Sequence, residues 1–345
     1  MKKALFCHQA DNRLVYCHLC AHGCRIKEGK TGLCGVRKNI DGNLYSMVYG
    51  RLISGNIDPV EKKPFFHICP GSLAFSIATA GCNFQCLNCQ NYQISQLSGI
   101  LDHFPGRDTT PEEVVNNALR SGCASIAYTY TEPTVYYEFS YDTARLAKDK
   151  GLYNLYVSNG FMTSAAAVQI AEVLDGANID LKSFSDDFYR KVCKARLSPV
   201  LNTIRQLKKQ GVWVEVTTLV IPGLNDSDKE LSDIADFIKA TDPGMPWHVS
   251  AFYPTYKMTD VPPTPAATLV RAREIGFDRG LRYVYTGNVN IDGAEDTHCH
   301  QCGRPVVQRS RYTVLENRME NGRCPDCGAV IDGLWAGPSQ VADSR

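Results

Sequence analysis

The chain has no run of about 18 or more apolar residues, the length a membrane-spanning helix requires. A spanning segment is therefore not expected. Charge of one sign is also lacking: 37 Lys+Arg stand against 36 Asp+Glu, a net +1 over 345 residues. That balance argues against a dominant phosphate-binding surface, and nucleic acid is not an expected partner. The opening MKKALFCHQADNRL carries basic residues but no apolar stretch of signal-peptide length, so a cytoplasmic location is expected. No long internal repeat or low-complexity segment occurs. The 44% hydrophobic and 21% charged composition is that of an ordinary globular chain.

Cysteine is abundant. Of 15 cysteines, all but Cys7, Cys69, Cys123 and Cys193 fall into three tight groups. Without a secretion signal, such clusters read as metal or redox ligands rather than disulfides.

Four regions are expected. Residues 1–71 form a cysteine-bearing head, with a hairpin turning at Asp41-Gly42. The segment NIDPVEKKPFFHICPGS, broken by Pro59, Pro64 and Pro70, reads as an irregular connection. Over 72–293, seven β-branched runs from LAFSIATA to LRYVYTG are mostly separated by stretches of helical length. Parallel β/α units buried on both faces follow, giving a full or partial (β/α) TIM-like barrel, with a doubly wound sheet as the alternative. Thr110, Pro111 and two glutamates mark one helix start. Residues 294–336 form a small zinc-ribbon-like module, and 337–345 a flexible tail.

The stretch AGCNFQCLNCQNYQ places Cys82, Cys86 and Cys89 directly after the first of these strands. Three thiolates from one loop would hold three irons of a four-iron cluster and leave the fourth open. Active sites of such folds lie at that end of the strands. Zinc with a distant fourth ligand is the alternative. Later strand ends supply Thr131 and Glu132 in YTYTEPT, Ser158 and Asn159 in VSNG, and Asp180 and Lys182 in IDLKSF. Glu132 also reads as an ordinary helix-start residue. His67, Tyr253 and Tyr256 are candidates for the cavity mouth.

Cys17, Cys20, Cys24 and Cys34 are enough to close a head site around zinc or an auxiliary cluster, with His18 and His22 near it or facing solvent. Cys299, Cys302, Cys324 and Cys327, two CxxC pairs each followed by glycine, read as a closed zinc site, less readily as a cluster. Arg304, Arg309, Arg311, Arg318 and Arg323 between them are expected to solvate this small domain.

The C-x3-C-x2-C spacing at a first strand end resembles the radical S-adenosylmethionine superfamily. The head CHLCAHGCRIKEGKTGLCGVR, the long connection through the three-cysteine loop, and the tail ending in DGLW together resemble the AmmeMemoRadiSam-system proteins of that superfamily, over about residues 16–336. ANIDLKSF and TTLVIPGLND are also similar to the pyruvate formate-lyase activases. The resemblance implies a [4Fe-4S] cluster on Cys82, Cys86 and Cys89, and reductive cleavage of S-adenosylmethionine to a 5′-deoxyadenosyl radical that abstracts hydrogen from a substrate. Thr131, Glu132, Ser158, Asn159, Asp180 and Lys182 would face the cofactor. Family members usually carry an aromatic residue just before the third cysteine; here it is Asn88, and Tyr92 is the candidate for the adenine contact. A ferredoxin or flavodoxin as reductant, and Memo-type and AMMECR-type proteins as partners, are implied. A glycyl-radical activase is the second reading. A zinc-rich interaction protein and pure electron transfer are the others.

Overall fold

The computed structural model describes residues 1–96 and 104–335. Its centre is a nine-stranded sheet, labelled β1 (Arg51–Pro59), β2 (Leu73–Thr79), β3 (Arg107–Asp108), β4 (Ser125–Tyr128), β5 (Tyr153–Ser158), β6 (Gly176–Asp180), β7 (Trp213–Val220), β8 (Trp247–Ala251) and β9 (Val284–Gly287). All seven expected runs became strands, β2 and β4 to β9, each parallel to the next. Their side chains are largely buried on both faces, because helices such as Pro111–Arg120, Tyr137–Asp149 and Leu197–Lys209 intervene. Thr110 caps the first of these helices in a reciprocal capping box with Glu113.

These parallel strands follow one another in chain order without reversal. A doubly wound sheet, which needs a switch point, is thereby excluded. Among the described residues no pairing joins β9 to β3 or β1, so the sheet is a partial barrel.

The head contributes two small sheets. One pairs Cys7–Gln9, Val15–Cys17 and Arg25–Ile26; the other pairs Lys2–Lys3, Asn43–Ser46 and Arg37–Ile40. The hairpin turns at Asp41-Gly42, both at positive φ (49° and 76°), as a type I′ turn requires. The connection that follows needs correction. Asn56 to Pro59 are not irregular: they complete β1, which runs antiparallel to β2. Pro59 ends the strand, since proline has no N–H for the ladder. The Arg37 guanidinium, 2% exposed, donates to both Glu138 oxygens at 2.9 and 3.0 Å and fastens the head to the helix Tyr137–Asp149.

A second buried carboxylate fastens the other end. Glu215 on β7 accepts from the backbone N–H groups of Phe66 and His67, from the Trp213 indole, and pairs with His248 at 2.6 Å. His67 was a candidate for the cavity mouth, but it is fully buried. Its Nδ1 donates to the Asp332 carbonyl and its Nε2 meets the Tyr285 hydroxyl, both at 2.6 Å. The final module, strands Thr297–His298, Pro305–Ser310 and Thr313–Asn317, docks on this network. Arg309 does not solvate it as expected. The guanidinium is buried over the Phe66 ring and donates to the Phe66 carbonyl at 2.7 Å.

Burial holds the His67 imidazole down at about 4, against about 6.5 in an unfolded chain. The stability this contributes is complete above pH ~6.5 and lost as the pH falls through about 4. Asp175, pushed up to about 6 by burial, acts in the opposite sense. The measurement is therefore a difference: His67→Gln should lower the thermal midpoint at pH 7, and the gap from the native chain should narrow steadily towards pH 4.

Candidate active site

Gly81 makes the turn from β2 into the cysteine loop. Its φ is +97°, and an added Cβ would meet Val36 at 2.5 Å and the Cys34 carbonyl at 3.0 Å, so only glycine fits. The loop is then held by its backbone. Gln85 and Leu87 donate to the carbonyls of Cys193 and Val192, both at 3.0 Å, and the Leu87 carbonyl accepts from Lys257. Cys82, Cys86 and Cys89 all line one cavity of about 780 Å³ at the C-terminal ends of the strands. Burial pushes the Cys82 and Cys89 thiols up, while a hydrogen bond from Cys193 lowers Cys86.

Thr131, Glu132, Ser158, Asn159, Asp180 and Lys182 line the same cavity. Glu132 is buried, and its carboxylate is committed to the protein. One oxygen accepts from Thr134 and from the Ser158 hydroxyl at 2.7 Å; the other accepts from the Asn159 N–H at 2.8 Å. It both caps the following turn and ties the end of β4 to the end of β5. Asn159 passes the connection on, donating to Asn83 Oδ1 at 2.7 Å. The Asn83 carbonyl in turn meets His22 Nε2 of the head at 2.7 Å. Lys182 pairs with Asp180 at 2.9 Å. Burial opposes its charge, but the Asp180 carboxylate and the Cys86 sulfur hold its ammonium well above the ordinary range.

Among the described residues two buried polar atoms of the lining residues have no partner, Thr286 Oγ1 and Glu61 Oε2. Buried groups of this kind normally find one, so these two are free to meet an occupant. Sequence reading missed both, because nothing in the local sequence marks where a side chain will end buried and unpartnered. Tyr92 is not among the lining residues; it stacks on Tyr256 with ring centres 4.5 Å apart. Asn88 and Tyr253 do line the cavity. Lys62, which follows β1, and Asn288, which follows β9, share the lining with Arg311 and Tyr312 from the last module's hairpin turn.

The C-terminal cysteines meet. All four sulfurs lie within 4.8 Å of one another, with Cys299–Cys327 at 3.6 Å and Cys302–Cys324 at 3.7 Å. Each CxxC forms the same knuckle: Gly303 and Gly328, at φ +73° and +75°, donate to the carbonyls of Cys299 and Cys324. This group could bind a metal ion. Cys17, Cys20, Cys24 and Cys34 surround a separate small cavity in the head.

Comparison with known proteins agrees with this geometry. The profile of the radical SAM superfamily matches residues 76–238. An uncharacterized protein of Methanocaldococcus jannaschii is 45% identical over 335 residues, spanning 96% of this chain and 99% of that protein. A second protein of that organism, provisionally named a glycyl-radical enzyme activating enzyme, is 30% identical over 47% of this chain and 67% of its own. The pyruvate formate-lyase-activating enzyme of Clostridium pasteurianum is 24% identical over 46% and 66%. Among solved structures, a radical SAM methyltransferase from Sphaerobacter thermophilus superposes with a TM-score of 0.50 at 15% identity, over 68% of this chain and 71% of that one. The chain belongs to the radical SAM superfamily and is related to the pyruvate formate-lyase activating enzymes. It is a radical SAM enzyme, and membership implies a [4Fe-4S] cluster and S-adenosylmethionine. Among the described residues no helix is long and apolar enough to cross a membrane.

Glu132→Ala would leave the Thr134 and Asn159 N–H groups and the Ser158 hydroxyl without their acceptor. At about 1–3 kcal/mol per unsatisfied buried group, a loss of about 3 kcal/mol is expected in denaturant unfolding. Cys302→Ser should cost the chain one metal ion, measured by elemental analysis, and expose the last module to protease.

Proposed function

We propose that Cys82, Cys86 and Cys89 hold a [4Fe-4S] cluster whose fourth iron is left for S-adenosylmethionine, and that a substrate bound in the barrel loses hydrogen. The observation that carries this is a donor set of three thiols, not four, on the wall of a cavity of about 780 Å³. When bound, the reduced cluster and S-adenosylmethionine supply a 5′-deoxyadenosyl radical, the species that abstracts hydrogen.

The chain's own residues bind, orient and exclude water. Glu132 fixes Ser158 and Asn159 and, with Thr131, shapes the wall where the methionine end would sit. Lys182, held by Asp180, offers a positive charge to a carboxylate. Tyr92 stacks on Tyr256 and is not among the lining residues, whereas Asn88, at the position where the family usually carries an aromatic residue, is. The C-terminal group suits zinc: a tetrahedral ion with bonds of about 2.3 Å sets sulfurs about 3.8 Å apart, close to the 3.6 and 3.7 Å found. On this reading the expected division into head, barrel and ribbon holds with one change: Arg51–Pro59, expected in the head, belongs to the barrel's sheet.

The names of the activating-enzyme relatives favour a protein substrate and a separate one-electron reductant such as a ferredoxin or flavodoxin. Installation of a glycyl radical on a partner enzyme is the second reading, and those relatives are what favour it. The finer resemblance to the AmmeMemoRadiSam system supports Memo-type and AMMECR-type proteins as the first partners to test. Purified without oxygen and given dithionite and S-adenosylmethionine, the chain should release methionine and 5′-deoxyadenosine. Cys86→Ala should abolish both while leaving the thermal midpoint of the metal-bound ribbon in place. Product formation by Cys86→Ala, or zinc alone at this loop, would overturn the proposal.

A further inference from the structure

We infer that Tyr130 is a positioning residue: Asp58 and Lys63 clamp its side chain so that its backbone holds a strained turn, and this turn sets the cavity wall at Thr131 and Glu132. The turn and its clamp stand on geometry alone. Their bearing on S-adenosylmethionine rests on the function proposed above.

The backbone carries the first step. Tyr130 has a φ of +61°, a region in which a bulky residue is an outlier. The Thr131 N–H donates to the carbonyl of Thr129, two residues back, at 2.7 Å. A positive φ with that bond makes the rarer, strained form of the γ-turn. Glycine would take this conformation at little cost. Tyrosine keeps it only where the surrounding structure over-determines it.

The surroundings of the ring do so. The phenol hydroxyl donates to Asp58 Oδ2 and accepts from Asn56 Nδ2 at 3.4 Å. Lys63 Nζ lies 4.1 Å over the centre of the ring and pairs with the same Asp58 oxygen at 2.7 Å. Lys62 takes the other oxygen at 2.8 Å. Asp58 and Lys63 are both buried, so removing either leaves a buried charge unanswered. Against burial, the two lysines and the phenol hold the Asp58 carboxyl well below its ordinary range. The ring is thus tied to β1 and to the turn that follows it.

Position supplies the role. Tyr130, Thr131 and Glu132 line the cavity together. The Tyr130 carbonyl accepts from Asn91 Nδ2, two residues past Cys89, at 2.8 Å. Thr131 Oγ1 donates to the Thr79 carbonyl at the end of β2, also at 2.8 Å. Glu132 then fixes Ser158 and Asn159. One turn therefore joins β1, the cysteine loop and the ends of β2 and β4. Relaxing φ to the ordinary negative range would re-aim the peptide groups on either side of Tyr130. The bonds to Asn91 and Thr79 would break, and the wall at Thr131 and Glu132 would move with them.

The test uses the full chain with its cluster loaded anaerobically and left oxidised, so that binding of S-adenosylmethionine is read by equilibrium dialysis without turnover. Tyr130→Gly should bind it at least tenfold more tightly than Tyr130→Ala, although both variants lose the ring. Equal affinities, or the reverse order, overturn the proposal. Asp58→Asn should weaken binding several-fold in the native chain and add nothing in the Tyr130→Gly background, which has no ring to clamp. Losses that simply add overturn the clamp. Tyr130→Phe, which keeps the ring and loses the bond to Asp58, should raise KM for S-adenosylmethionine more than it lowers kcat; a fall in kcat alone counts against a positioning role. Should the native chain bind no S-adenosylmethionine, the function proposed above fails, and the link to the cofactor fails with it. The turn is then decided by denaturant unfolding. Tyr130→Gly should keep a higher midpoint than Tyr130→Ala, and the reverse order overturns the strained turn as well.

Discussion

One buried carboxylate organises the working end of this molecule. Glu132 accepts hydrogen bonds from its own following turn and from Ser158 and Asn159 at the next strand end. Asn159 then holds Asn83 in the cysteine loop, and Asn83 holds His22 in the head. Four segments remote in sequence are thus set in register by a chain of short polar contacts. A partial barrel is open along one seam, so closure of the sheet cannot fix its strand ends. A buried acceptor with several donors can, because leaving any donor unpaired is costly. Burial pushes the Glu132 carboxyl up, against the pull of the donors around it.

At the opposite end Glu215 has the same role. Its donors come from the connection before β2, from β7 and from β8, and the His67 contact it helps to position reaches the last module. The last module is therefore part of the barrel's construction as well as a candidate metal site. Its hairpin turn brings Arg311 and Tyr312 to the cavity wall. Whatever ion closes Cys299, Cys302, Cys324 and Cys327 steadies a surface the substrate would meet.

Much of this was legible in the sequence. The seven parallel strands were marked by β-branched runs, and the helix start at Thr110 by its cap. The hairpin at Asp41-Gly42 was marked by a dipeptide suited to two positive φ values. Strand-end polar residues all reached the cavity, since the end of a parallel strand is a position the chain order itself defines. The failures have a common cause. Asn56 to Pro59 joined the sheet, His67 went to the core and Arg309 was buried, each because a distant partner outweighed local preference: β2, the Asp332 carbonyl, and the Phe66 ring. Local composition contains no information about those partners. Asn83, Glu61 and Thr286 escaped notice for the same reason.

The three cysteine groups show where spacing along a chain ends and spacing in space begins. In sequence the head and ribbon both offer four thiols, and both suit zinc or a cluster. What separates them is how closely the backbone lets the sulfurs approach. The ribbon's twin knuckles turn at glycine and bring each CxxC back on itself, so four sulfurs converge as one ion requires. The head sets its four cysteines around a small cavity without bringing three of them within the same distance of one another. The catalytic loop has the fewest thiols and the largest cavity beside them. The thiol count falls from four in the C-terminal group to three in the loop, and it is beside the three that the large cavity opens. The number of thiols is thus legible in the sequence, whereas how closely they approach one another is decided by the fold.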